Sequence, residues 1–206
     1  MTSPAKSSET KPILALAFLY TIGNFLLLFN KAIYWDTWIW LPLIKGKQYE
    51  QLWDILYQSK RFTPYYLYRI SGFFDNPVFF FKITAFISCL LAGLFLYGIL
   101  RKKLALRIDR VFFISAFFIL TPVFLVRIDS SILQHSFNIM LFFLAALVYF
   151  IAEKNKNKII AVVNYGLSWI LFFLSFNTYS LLALYGGFAL LLFTSYRQIN
   201  KENNGC

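Results

Sequence analysis

The chain has 206 residues, of which 59% are hydrophobic, 21% aromatic and only 14% charged, too little polar surface to cover a soluble globule of this size. A net charge of +11 raises the question of nucleic acid, but the bases sit in loops between apolar runs, where membrane topology and anionic headgroups account for them. Two cysteines, Cys89 in an apolar run and Cys206 at the last position, make neither a disulfide framework nor a metal site, and Cys89 reads as a buried small hydrophobe.

The first element is a polar segment, Met1 to Lys11, with two lysines. The apolar run behind it continues to Phe29 without a small-residue cleavage site, which predicts an uncleaved signal anchor. Six apolar runs follow one another: 12–29, 78–100, 111–126, 137–152, 159–176 and 181–195. A bilayer core of roughly 30 Å needs about 20 helical residues, so the third, fourth and last runs span only if their flanks extend them. The expected fold is all-α: a polytopic membrane helix bundle of about six transmembrane helices with a structured first external loop. One transmembrane domain, 12–195, would carry that loop at 31–77, between tails 1–11 and 196–206.

Charge fixes the expected orientation. Lys6 and Lys11 precede the first run, Arg101, Lys102, Lys103, Arg107 and Arg110 follow the second, and Lys154, Lys156 and Lys158 follow the fourth. Twelve bases against four acids fall on that side, and seven against five on the other. The positive-inside rule then places both termini in the cytoplasm of a multi-pass integral membrane protein, with a bacterial plasma membrane as the expected setting.

The loop after the first run opens on Tyr34-Trp35-Asp36-Thr37-Trp38, which sets a single carboxylate among large rings at the bilayer edge. Ionising an acid there costs free energy, so its presence invites a functional reading. Further on, Tyr49, Leu52, Trp53, Leu56 and Tyr57 share one helical face while Glu50, Gln51, Asp54 and Gln58 point elsewhere, the pattern of an interfacial amphipathic helix. An aromatic belt anchor is the alternative for those rings. After a break at Pro64, Tyr65 to Ile70 reads as a second short helix. Asn76 is placed to cap the next span, with Pro77 in its first turn. Pro122 is predicted to kink the third span. Polar residues within or between spans (Asn24, Asn164, Ser168, Asn177, Thr178, Tyr179) are expected to face other helices or a groove.

An acid just past the first span, an amphipathic stretch, the word Arg61-Phe62-Thr63-Pro64, and Asn76-Pro77 leading into the second span together resemble the GT-C superfamily of multi-span glycosyltransferases. The resemblance covers residues 12–195 and rests on the order of these motifs relative to the spans. It implies transfer of a sugar from a polyprenyl-phosphate donor to a glycan, lipid or protein acceptor on the external face. Asp36 matches the family's first-loop acid and would act as general base; capping a helix edge and pairing with Lys31 is the alternative. Asp129 matches a second external acid, with a plain salt bridge to Arg127 as its alternative. Lys60, Arg61, Arg69 and Arg127 would hold the donor phosphate, the arginines best through paired hydrogen bonds, while snorkelling to lipid phosphates is the bland reading. His135 and Tyr179 are candidates for contact with pyrophosphate or acceptor.

Asp36 stands alone where many members carry paired acids, so no cofactor and no metal site is predicted, with a divalent metal kept as an alternative. The expected partners are a polyprenyl-phosphate-linked sugar, its acceptor and membrane lipids, with no nucleic acid. Relatives of this kind have seven or more spans, against about six here. The competing reading is a non-enzymatic transporter subunit or a scaffold in a membrane complex. There Lys82, near the external end of its span, would line a pathway or interface instead of snorkelling.

Overall fold

The computed structural model describes residues 7–29, 37–58, 62–104, 106–121, 133–176 and 184–190, and every regular element among them is helical. In chain order they are α1 (Ser7–Asn24), prolonged by a 3₁₀ turn at Phe25–Phe29, then α2 (Thr37–Lys45), α3 (Tyr49–Gln58), α4 (Phe62–Ser71), α5 (Pro77–Lys102), α6 (Ile108–Leu120), α7 (Leu133–Lys154) and α8 (Lys158–Ser175). Residues 184–190 form a further helical stretch. Long apolar segments adopt helix because a chain in hydrocarbon must satisfy its backbone groups internally.

Among the described residues, four helices are long and apolar enough to cross a membrane: Thr10–Phe29, Pro77–Lys102, Leu133–Lys154 and Lys158–Ser175, of 20, 26, 22 and 18 residues. They correspond to the first, second, fourth and fifth apolar runs. Flanking residues do rescue the fourth, which begins four positions earlier than its apolar run. The third run gives the 13-residue α6, capped by Thr121 at φ −60°, ψ 127°. That extended geometry is what a following proline imposes, since the Pro122 ring disfavours helical backbone in the residue before it. The kink predicted at Pro122 lies outside the described residues, as does the sixth run apart from 184–190.

Packing centres on α5, which touches α1, α6 and α7. One cluster joins Leu16 and Tyr20 of α1 to Phe86 and Cys89 of α5 and to Val111 and Ile119 of α6; Cys89 is a buried apolar residue there, as expected. A second joins Ala92 of α5 to Phe142 and Ala146 of α7 and Phe172 of α8. Small residues occupy the closest approaches, because apolar area alone does not drive helices together in lipid. Tyr20 Oη donates to the Phe86 carbonyl at 3.0 Å, tying α1 to α5. Ser168 Oγ donates to the Ala145 carbonyl at 2.8 Å, tying α8 to α7. Asn24 is also buried and donates to the Tyr20 carbonyl at 3.0 Å, while Asn164 is half-buried.

These contacts fix the directions. Phe81 of α5 and Leu133 of α7 share a cluster at one end, and Lys103 after α5 pairs with Glu153 of α7 at 2.7 Å at the other. Hence α5 and α7 run in parallel, with α6 and α8 antiparallel to them. The end that holds the starts of α5 and α7 carries α2, α3 and α4; the opposite end carries the basic turns. Leu26, Val162 and Phe173 are 79%, 68% and 81% exposed, so α1 and α8 turn large apolar faces outward, where lipid tails would cover them.

Candidate functional site

The segment between the first two spans folds into three short helices among the described residues, where the sequence pattern predicts two. The extra one is α2, which carries Trp38 to Leu43 directly after Asp36. The other two stand close to their expected places. In α3, Leu52 and Leu56 of the predicted apolar face are buried against protein, while Tyr57 of that face and Ile55 are 59% and 40% exposed. In α4 the helix begins at Phe62, and Pro64 sits inside its first turn instead of breaking the chain, a position where a missing N–H is harmless. Asn76 caps α5 as expected: its Oδ1 accepts from the Phe79 N–H at 3.1 Å, with Pro77 opening the helix.

Together these helices build an aromatic floor on the bundle. Ile44, Leu52, Leu56 and Tyr68 pack with Phe81 and Ala85 of α5 and Leu133 of α7. Trp40 stacks on Tyr68 at 6.0 Å, Trp53 meets Tyr65 edge-on at 4.8 Å, and Tyr68 meets Phe81 edge-on at 5.4 Å. Such edge-on and offset pairs add to the burial of the rings and favour one arrangement. Around the floor, Trp38, Tyr66 and Phe73 are 65%, 58% and 82% exposed, in keeping with rings that sit at a membrane–water boundary.

Of the eight site residues expected from sequence, two lie among the described residues. Arg69, in the last turn of α4, is exposed and holds its guanidinium carbon 5.9 Å from the centre of the Tyr49 ring, a cation–π contact that restrains the side chain without consuming its hydrogen-bond donors. Tyr49 also crosses Gly72: a Cβ there would stand 2.1 Å from the Tyr49 hydroxyl, so a glycine lets the ring lie across the end of α4. His135 is half-buried in the first turn of α7, at the same end as the floor. Asp36, Lys60, Arg61, Arg127, Asp129 and Tyr179 lie outside the described residues, though Asp36 immediately precedes α2 and Arg61 immediately precedes α4. Among the described residues no three His, Cys, Asp or Glu side chains gather to hold a metal ion.

No known family, curated protein or solved structure matches the chain.

Two further features of this end stand outside the eight expected site residues, the first of them named only in the competing reading. Lys82 is 4% exposed and adjoins Phe81 of the floor, so its side chain is enclosed near the start of α5. Beside it, the first turns of α7 bury Gln134, Ser136 and Asn138. The signal for these was three polar residues within five positions at the head of an apolar run, which is costly in lipid unless the residues face protein or a wet groove.

Proposed function

We propose that this chain is a membrane-embedded glycosyltransferase of the GT-C type, moving a sugar from a polyprenyl-phosphate donor to a glycan, lipid or protein acceptor on the external face. The observation that carries this reading is the packed floor of α2, α3 and α4. It seats an aromatic platform on the bundle, its first helix α2 follows Asp36 directly in sequence, and it adjoins a buried polar set of Lys82, Gln134 and Asn138. A lipid-linked donor needs such a surface: apolar for the prenyl tail, cationic for the phosphate, and edged by one base.

In the proposed step the acceptor hydroxyl attacks the anomeric carbon from the face opposite the phosphate. A new carbon–oxygen bond forms with inversion, the bond to the phosphate oxygen breaks, and that oxygen leaves with the electron pair. The hydroxyl proton passes to the Asp36 carboxylate, the assigned base. Arg61, Arg69, Lys60 and Arg127 are assigned to the phosphate charge, with Asp129, His135 and Tyr179 on the acceptor side. The step as written uses no metal. The reading carries about six spans in a bacterial plasma membrane, both termini in the cytoplasm, and the floor outside.

One observation favours a second reading, a transporter subunit or scaffold. The burial of Lys82 is what that reading expects of a residue lining a pathway or interface. Mass spectrometry of lipids that co-purify with the full chain in mild detergent separates the two. The transferase reading expects a polyprenyl phosphate or its sugar conjugate with the wild type, lost in Arg61→Ala. It also expects Asp36→Asn to retain the carrier while the cell's glycolipid profile loses the product. Bulk phospholipid alone in wild type and Arg61→Ala would discard the transferase in favour of the second reading.

A further inference from the structure

At the end of the bundle opposite the floor, α5 and α7 part to leave a cleft of about 580 Å³. Ile99, Leu147 and Phe150 supply apolar wall, and Lys102, Lys154 and Lys156 line it with positive charge. Lys102 and Lys154 end their helices, where a cation offsets the helix dipole, and the positive-inside rule favours lysines on this side. Neither effect gathers three exposed ammonium groups around one cavity, where they repel one another.

Two acids of this end, among the described side chains, are engaged elsewhere. Glu153 is held by Lys103 at 2.7 Å, and Lys103 in turn lies 5.0 Å over the Phe150 ring. Asp109 is paired with Arg107 at 3.1 Å. Desolvation works to raise the Asp109 pKa, but the Arg110 N–H and the Arg107 guanidinium outweigh it and hold the carboxyl below its ordinary range. Among the described residues no carboxylate lines the cleft itself. Lys154 Nζ donates to the Lys102 carbonyl, which fixes one ammonium at the junction of the two helices. The start of α8, whose first N–H groups are capped by Asn157, adds the positive end of a helix dipole two residues beyond Lys156.

We propose that this cleft binds a phosphate group, and that its source is the headgroup of an anionic membrane lipid. Three lysines present compact charges to the phosphate oxygens, and the apolar wall at the level of Ile99 and Leu147 takes the first carbons of the acyl chains. The volume lies within the range of about 300–1,000 Å³ usual for small-molecule pockets, and basic pockets between membrane helices on the cytoplasmic side are suited to such headgroups. The site is independent of the proposed sugar transfer, which sits at the other end.

The test is native mass spectrometry of the full chain in mild detergent, titrated with dioleoyl-phosphatidic acid. One phosphatidic acid per chain should be retained at concentrations where dioleoyl-phosphatidylcholine is not. The triple variant Lys102→Gln/Lys154→Gln/Lys156→Gln should weaken retention at least about tenfold, and the matching triple to Arg should restore it. Lys45→Gln/Lys47→Gln, at the far end, should leave it unchanged. If the triple variant fails to fold, the exposed single change Lys156→Glu serves in the same comparison. Equal weakening by both sets of glutamines would reduce the effect to bulk charge and overturn the proposal, as would equal retention of phosphatidylcholine. Complete displacement by millimolar inorganic phosphate would overturn the lipid source.

Discussion

Gly93 stands where α5 meets α6, and a Cβ added there would come 2.2 Å from Ile119 Cγ2. That methyl belongs to a β-branched side chain with little rotamer freedom in a helix, so it cannot swing aside cheaply. Gly93→Ala should therefore destabilise the protein by about 1–3 kcal/mol, read as a lowered midpoint of denaturation in detergent. Paired with Ile119→Ala, the loss should be smaller than the sum of the two single losses; strict additivity would mean that the helices separate freely. A different lesson comes from the turn after α2. Gly46 is the residue whose chemistry suits left-handed backbone, yet Lys47 carries it, with φ at 54°. The Lys47 and Gln48 N–H groups donate to the Ile44 and Leu43 carbonyls at 3.1 and 2.8 Å, the hydrogen-bond pattern of a helix end closed by a left-handed residue. The left-handed residue falls one position after the glycine because the helix end closes on Lys47. Lys82 was legible as a costly polar residue but not as a buried one, since a snorkelling lysine and an enclosed lysine look alike in sequence.

At the scale of the element, α3 is held by two leucines on one side. Leu52→Ala should lower stability by about 2–5 kcal/mol and open α3 to proteolysis. Ile55→Ala, on the exposed side, should change stability by less than about 0.5 kcal/mol. Comparable protease sensitivity in the two variants would show that the floor is not anchored through that face. The elements that could be read in advance were those with a clear period or a named cap. The spacing of Leu52 and Leu56 marked α3, and Asn76-Pro77 marked the start of α5. By contrast, α2 is an apolar stretch of nine residues with Pro42 inside, too short for a helical period to declare itself against a loop rich in rings. The depth of burial on α3 was not legible either, because an amphipathic pattern specifies an apolar face and not whether lipid or protein covers it.

At the scale of the whole molecule, the two ends differ in kind: three aromatic helices at one, lysine-rich turns at the other. This makes sidedness testable. With Cys206 replaced by serine and Cys89 buried in the bundle, a single cysteine at Lys47→Cys should react with a membrane-impermeant maleimide in intact cells. One at Lys156→Cys should react only after permeabilisation. Labelling of both from the same side would overturn the alternation of spans. The helical bundle was legible because apolar length and loop charge are large signals; of the six runs read as spans, four give membrane-length apolar helices among the described residues. The candidate site was legible mainly as residue types near one end. How α2, α3 and α4 pack on α5 and α7 depends on long-range contacts, which no local spacing records.

The bond between Tyr20 and Phe86 has a consequence for biogenesis. During synthesis α1 leaves the ribosome well before α5 and α6, the helices it packs against, have been made. It must wait in the bilayer without them. Thr21 and Asn24 soften that wait, because each donates to a carbonyl one turn back on its own helix, Ala17 at 2.8 Å and Tyr20 at 3.0 Å. The Tyr20 hydroxyl finds its carbonyl only on the later helix. Until α5 arrives, that hydroxyl makes the newborn α1 a poorer fit to lipid, and docking on α5 relieves it.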